Sequence, residues 1–446
     1  MAIRQFQTPL PFPVETVRAW HERPGALRRL VPPWEAMEVL EQTGTVAEGD
    51  RLVLRLWPGA RWEAVHHALP EGFEDEMVSG PMSSWRHRHR FLADGAGGCV
   101  IHDEIEFSPD IAGWVADSRL RAMFAFRARR LREELARHQG KAAQRILLAG
   151  ASGLVGTQLV ALLQTAGHEV VQLVRRAPTA GQVQWDPARG RIDPKDLEGF
   201  DAVISLSGEN VGEGAWTDTR KQALIDSRLA VTTLLANTFG QLARPPRVWL
   251  SASAVGIYGD RGDERLIESS APGAGFLADL CQRWEAAAHT IPGVRVVMLR
   301  LGVVLSGHGG ALARMLTPFK LGVGGPIGSG RQFFPWIAMD DALYAMLHCL
   351  TDAHLSGPVN LVAPGIVRQE AFAKGLGHAL GRPAFVPLPA LAVSTLFGEM
   401  GKEVLLAGQN VAPAALANRF AFSQPELAGA LAWELGGGAT VASVEA

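Results

Sequence analysis

The sequence has little of what marks secreted, membrane or nucleic-acid-binding proteins. It has three cysteines, Cys99, Cys281 and Cys349, an odd number with neither framework spacing nor a CxxC pair. That argues against a disulfide-stapled secreted scaffold and makes a reducing cytoplasm the expected compartment. Charge of either sign is not in excess, since 43 Lys and Arg face 45 Asp and Glu for a formal charge of -2. No polyelectrolyte field steers such a chain to nucleic acid or to an anionic membrane, and a small molecule is the expected partner. The opening "MAIRQFQTPLPFPVET" lacks a basic head followed by an apolar run, so no signal peptide is expected. The stretch from Ile146 to Gly167 is uncharged and long enough to raise a membrane span. Its glycines, Ser152, Thr157, Gln158, Gln164 and Thr165 fit a strand, a turn and a helix better. Internal repeats and low-complexity tracts are missing, and Tyr258 and Tyr344 are the only tyrosines.

What is present needs at least two domains, because 446 residues exceed one ordinary core. From Arg145 onward, short apolar runs ("RILLAG", "EVVQLVRR", "DAVISLSG", "RVWLSASAVG", "VRVVMLRLGVVLS") alternate with helical patterns. Uninterrupted apolar strands separated by amphipathic helices predict a parallel sheet covered on both faces, a doubly wound α/β domain. Residues 1 to 140 read as α+β: an early extended run, two short helical pieces, several strands, then a long helix with Leu120, Phe124, Leu131 and Leu135 near one face. Gly140, Lys141 and Ala142 read as a linker. In "WRHRHRF", Trp85, His87, His89 and Phe91 alternate with Arg86, Arg88 and Arg90. His87, His89 and His102 raise a metal site, but no carboxylate or cysteine completes the spacing. No metal is expected, and the histidines read as cavity lining.

The stretch "AGASGLVG" places Gly150, Gly153 and Gly156 directly after a strand, opening a helix. Gly150 permits the tight turn, Gly153 lets the backbone approach a pyrophosphate, and Gly156 lets helix and strand pack closely. Ser152, Leu154 and Val155 complete the turn, whose helix N-terminus offers free N–H groups to an anion. At the end of the second strand, where a carboxylate would bind the ribose hydroxyls of NAD, the chain has Arg175 and Arg176. Guanidinium there favours a 2′-phosphate, so NADP is the expected cofactor, with NAD possible.

Taken together, "LLAGASGLVG", "VQWDP", "DAVISLSGEN", "IDSRLAVTTLL", "SASAVGIYGD", "FLADLCQRWEAAA", "LRLGVVLSGHGGAL" and "GVGGPIGSGRQFFPWI" resemble an atypical, epimerase-like subgroup of the extended short-chain dehydrogenase/reductases. The resemblance runs from Arg145 to Leu435 and includes a C-terminal segment around "LFGEMGKEVLLAGQNVAPAALANRFAF" similar to that family's small domain. "WHERPGALRRLVPPWE", "WRHRHRF" and "IHDEIEFSPD" resemble the START-like (SRPBCC) helix-grip ligand-binding domains, which hold an apolar ligand between sheet and helix. The implied layout is a helix-grip domain over 1–140, a Rossmann domain over 143–390 and a small C-terminal segment over 391–446.

The resemblance also implies a site, and the chain departs from it. Ser253 falls on the serine that holds the substrate oxygen, whereas Leu277 stands at the catalytic Tyr, Cys281 at the Lys and Arg228 at the Asn. Ser253, Cys281 and Arg228 are therefore the candidate catalytic residues. A guanidinium beside Cys281 would lower its thiol pKa toward a usable thiolate, and the competing reading is a small buried cysteine. The loop Leu206, Ser207, Gly208 and Glu209 falls where the family passes the nicotinamide ribose. Glu209 reads either as a base there or as an acid at a helix N-terminus. Asp340 and Asp341 read as helix caps, and Tyr258 as lining the site. Two functions follow: an NADP-dependent oxidoreductase or nucleotide-sugar-epimerase-like enzyme, or an NADP(H)-binding regulatory, redox-sensing protein without turnover.

Overall fold

The computed structural model describes residues 1–43, 46, 50–56, 59–108, 113–288 and 291–437. The chain divides into two compact units, residues 1–143 with 161–168 and residues 144–160 with 169–437 as far as they are described.

In the first unit β1 (Ala2–Leu10) is followed by α1 (Val14–Glu22) and α2 (Ala26–Leu30). Six strands then run as a meander: β2 (Met37–Thr43), β3 (Arg51–Leu56), β4 (Ala60–Leu69), β5 (Gly72–Ser79), β6 (Trp85–Ala93) and β7 (Cys99–Phe107). All pairings are antiparallel, in the order β1-β7-β6-β5-β4-β3-β2. On β7, Cys99, Ile101, Asp103, Ile105 and Phe107 are buried and the residues between them are half-exposed, the period of a sheet wet on one face. The long helix α3 (Gly113–His138) buries Leu120, Phe124, Leu131 and Leu135 as its periodicity predicts. Leu131 and Leu135 join Trp20, Phe73, Phe91 and Ile101 in one cluster, and Leu120 and Phe124 join Ile105 and Phe107 in another. Strand β2 is not foreseen by the sequence, because as an edge strand it buries no side chain fully.

In the second unit the doubly wound expectation holds. Its main sheet has seven strands: β8 (Arg145–Ala149), β9 (Glu169–Val174), β10 (Gln182–Gln184), β11 (Ala202–Ser205), β12 (Val248–Ala254), β13 (Arg295–Leu301) and β14 (Gly357–Leu361). They are all parallel, in the order β10-β9-β8-β11-β12-β13-β14. Residues Ile146 to Ala149 are fully buried, as a strand covered on both faces requires. The uncharged stretch after Arg145 folds as β8, the glycine turn and α4 (Leu154–Thr165). Among the described residues no helix is long and apolar enough to cross a membrane.

Helices α5 (Asp218–Phe239) and α6 (Phe276–Ala288) flank β12, and α8 (Met339–Thr351) follows α7 (Gly310–Lys320). The cap assigned to Asp340 and Asp341 is corrected: α8 starts after Ala338 without a side-chain cap, and both aspartates lie in its first turn. There the Asp341 carboxylate accepts from the backbone N–H of Ser423 and Gln424, and Asp340 accepts from Trp433 Nε1. These contacts tie the C-terminal segment to the sheet domain.

Candidate active site

Strand order reverses between β8 and β11, and doubly wound sheets bind ligands in the crevice beyond the carboxyl ends of the strands at such a reversal. The two loops are held close. Leu206 N–H donates to Ala149 O over 2.9 Å, and a Cβ on Gly150, whose φ is +88°, would sit 2.8 Å from the carbonyl carbon of Leu206. A Cβ on Gly156 would fall 2.1 Å from Gly150 O, so helix and turn approach at a distance only glycine allows. At Gly153 the nearest atom would be 3.4 Å away, an ordinary contact, and the position is exposed. Ser152 and Gly153 are exposed while Leu154 and Val155 are half-buried.

Parallel register pairs Ala149 with Leu173, which brings the end of β9 beside this turn. Arg175 and Arg176 follow at once, both exposed. On the other side, Leu206 and Ser207 are half-buried and Gly208 and Glu209 exposed. Glu209 is not at a helix N-terminus. Its carboxylate pairs with Arg220 at 3.1 Å, and its N–H donates to Ser227 Oγ.

Arg228 of α5 is buried, and its guanidinium donates to Leu224 O at 3.0 Å and to Glu209 O at 2.9 Å. It also lies over the Trp284 ring, 5.1 Å from the centroid. The side chain thus clasps the loop after β11 onto α5 and α6. Cys281 does not gain the thiolate character expected from that neighbour. Burial pushes its thiol up to about 12, the Glu285 carboxylate adds to the rise, and Arg228 offsets only part of it. The two other cysteines are buried as well, with Cys99 raised to about 11 and Cys349 to about 12, chiefly by burial.

Ser253 is buried near the end of β12 and belongs to a polar row that the sequence reading did not find. Register sets Ser253 opposite Arg300 of β13, and Arg300 opposite Asn360 of β14. Ser253 Oγ donates to Glu285 Oε1 at 2.6 Å, and Arg300 grips both oxygens of that carboxylate at 2.8 Å each. Arg300 also donates to the Tyr258 hydroxyl, which itself donates to Asn360 Oδ1. Burial raises the Tyr258 phenol, so this tyrosine is a structural hydrogen-bond partner rather than a ready proton donor. One signal was there to read: a charged or amide side chain inside an apolar run, Arg300 in "VMLRLGVV" and Asn360 in "PVNLV". Glu285 stands one helical turn beyond Cys281, and so on the same face of α6.

Leu277 occupies the first turn of α6, which Glu403 caps by accepting from Phe276 N and Leu277 N at 2.9 Å each. The helix that carries Leu277 and Cys281 is therefore anchored by the C-terminal segment.

A parallel sheet of this order, with glycine-lined loops at its reversal, defines a Rossmann-like α/β protein. Comparison with known proteins makes that more particular. Residues 146–361 match the NAD dependent epimerase/dehydratase family, and residues 388–434 and 61–135 match two domains of unknown function, DUF1731 and DUF8410. The chain is 41% identical over 274 residues to the epimerase family protein Mb2239 of Mycobacterium bovis, covering 90% of that relative and 61% of this chain. It is 42% identical to the human epimerase family protein SDR39U1 over 294 residues, 98% of the relative and 64% of this chain. The chain belongs to this epimerase family. A crystal structure of the human protein with NADPH superposes at a TM-score of 0.61 with 38% identity, covering 66% of this chain and 98% of that one. A nucleoside-diphosphate sugar epimerase from Corynebacterium glutamicum superposes at 0.81 with 34% identity, over 97% of this chain and 90% of that one.

Proposed function

We propose that the protein is an NADP-dependent oxidoreductase or nucleotide-sugar-epimerase-like enzyme with an altered active site. The observation that carries this reading is the open Gly153 turn, with Arg175 and Arg176 exposed just after the neighbouring strand. The pyrophosphate would lie against Gly150, Ser152, Gly153, Leu154, Val155 and Gly156, with the ribose 2′-phosphate toward the arginines. Loop residues Leu206, Ser207, Gly208 and Glu209 would flank the nicotinamide half. The cofactor supplies or accepts hydride when bound.

In this reading Ser253 is the residue that meets the substrate oxygen: its proton is committed to Glu285, so its lone pairs are left to accept from a substrate hydroxyl. Arg228 positions the loop, and Cys281 fills the space of the missing lysine as a neutral thiol. The NADPH-bound human relative supports the cofactor assignment. The deciding experiment adds pools of carbonyl and hydroxyl metabolites to the protein loaded with NADPH or NADP and follows absorbance of the reduced nicotinamide. Pool-dependent change that Ser253→Ala abolishes supports the enzyme.

One observation favours the second reading, a redox-sensing NADP(H)-binding protein without turnover: no phenol and lysine pair stands at Leu277 and Cys281. That reading gains if every pool leaves the cofactor unchanged while binding stays tight. For residues 1–140 we propose a helix-grip, START-like domain for an apolar small ligand, supported by the long helix α3 packed on an antiparallel sheet. Residues 143–390 and 391–446 would form the cofactor domain and its small companion, in a cytoplasmic protein.

A further inference from the structure

We infer that the first unit holds a site for a divalent first-row transition ion, with Asp75, His87 and His89 as its ligands. The site is read from side chains that the sheet register brings together. Asp75 of β5 lies opposite His87 of β6, and His89, two residues on, lies opposite Asp103 of β7. One ligand atom from each of Asp75, His87 and His89 lies within 4.8 Å of the other two. The sequence reading paired the histidines with His102, but His102 neighbours the buried Asp103 on β7 and so points to the opposite, half-exposed face. The missing carboxylate comes from the next strand instead.

Two further observations point to an ion. Asp75 Oδ1 is buried and has no hydrogen-bond partner, a costly state for a carboxylate oxygen and the natural one for a metal ligand. Asp103 binds the rings from behind: its Oδ1 is 3.0 Å from His87 Nε2 and 2.7 Å from His89 Nδ1. A carboxylate that accepts an N–H from each imidazole orients both rings and leaves His87 Nδ1 and His89 Nε2 as the nitrogens for an ion, which on binding displaces the proton that Asp75 and Asp103 hold on His87 against its burial. His87 Nδ1 is already 3.6 Å from Asp75 Oδ2. Two donors about 2.0–2.2 Å from one ion at a tetrahedral angle stand roughly 3.4 Å apart, so little movement closes the site.

The other charged groups nearby allow a cation. His66 of β4 is engaged with Asp50, and Arg127 of α3 faces Asp103 and Asp75. Two carboxylates against one guanidinium leave one negative charge for the ion. Two imidazoles and one carboxylate form the donor set of tetrahedral Zn²⁺ and of three-ligand Fe²⁺ sites, and both keep a position open. The side chains of His87 and His89 are 5% and 10% exposed while that of Asp75 is 24% exposed, so the site's access to solvent is on the Asp75 side. An oxygen of a small ligand could complete the coordination there.

The test uses the tag-free full chain, stripped with a chelator and titrated with Co²⁺ and then with Zn²⁺ in competition. One equivalent of Co²⁺ per chain is expected. Intense visible bands mark the four-coordinate, Zn²⁺-like arm and weak ones the six-coordinate, Fe²⁺-like arm. Asp75→Asn should weaken binding at least tenfold, and Asp103→Asn should weaken it tenfold to hundredfold through the rings it orients. His102→Ala should bind as wild type. X-ray absorption of the Zn²⁺-loaded wild type needs no variant to fold, and should show imidazole scattering. An all-oxygen shell, no saturable one-equivalent binding, or equal binding by wild type and Asp75→Asn would overturn the assignment.

Discussion

Ser253 donates to Glu285 over 2.6 Å while Arg300 holds the same carboxylate through Nε and Nη2. Ser253 and Arg300 are buried and the Glu285 side chain is only 12% exposed, so the pair is a two-point clamp in a medium that screens it poorly. Glu285→Gln leaves the Arg300 charge buried without its counterion. Unfolding free energy should fall by about 3 kcal/mol, measured by guanidinium denaturation, with NADPH affinity changed little. Unchanged stability would show that Arg300 finds another partner.

Cys281 should alkylate no faster than Cys99 or Cys349 in the folded protein near neutral pH, because burial holds its thiol near 12. Mass-spectrometric labelling rates check this. Rapid Cys281 labelling that NADPH suppresses would restore a reactive thiol to the site.

Arg176→Ala should weaken NADPH binding and leave NADH binding nearly unchanged. A charge-assisted contact to the 2′-phosphate contributes about 1.5–3 kcal/mol, roughly a tenfold to hundredfold preference. Calorimetric titration with both cofactors measures it. Equal loss for the two would make Arg175 and Arg176 plain surface charge.

Two glycines of the turn should separate binding from folding. Gly153→Ala adds a Cβ that meets nothing nearer than Gly150 O at 3.4 Å, and should keep the thermal midpoint while weakening NADPH. Gly156→Ala puts a Cβ 2.1 Å from that oxygen and should lower the midpoint itself. Thermal melts with and without cofactor distinguish the two outcomes.

The first unit should lose stability in acid through His21. Its ring, with Nδ1 on Val17 O, is buried, and burial lowers its pKa from 6.5 to about 4. Between those values the unfolded chain binds the extra proton. The contribution is therefore complete above pH 6.5 and lost as pH falls through 4, at most about 3 kcal/mol. Denaturation series at pH 7.5 and 4.5 should differ less for His21→Leu than for wild type. An equal difference would place the acid sensitivity elsewhere.

Local pattern was enough for the parallel sheet, the glycine turn and the buried face of α3. Strands covered on both faces are continuous apolar runs, a pyrophosphate turn needs glycines at set spacing, and a packed helix repeats every 3.6 residues. Leu277 and Cys281, at the positions where the resemblance expects a Tyr and a Lys, were legible as well, since such departures show in the order of residues. Sequence by itself thus determined the family and the location of the crevice.

Tertiary structure decided what the polar residues in and around that frame do. Ser253, Arg300 and Asn360 meet because three parallel strands share a register, and Glu285 joins them from α6. Cys281 has a raised pKa because its burial outweighs Arg228, a balance of solvation that no spacing records. His87 finds Asp75 rather than His102 because strand alternation turns one residue inward and its neighbour outward, while antiparallel pairing selects the partner. Order along a chain specifies periodicity, but solvation and cross-strand pairing depend on residues far apart in it, and those exist only once it has folded.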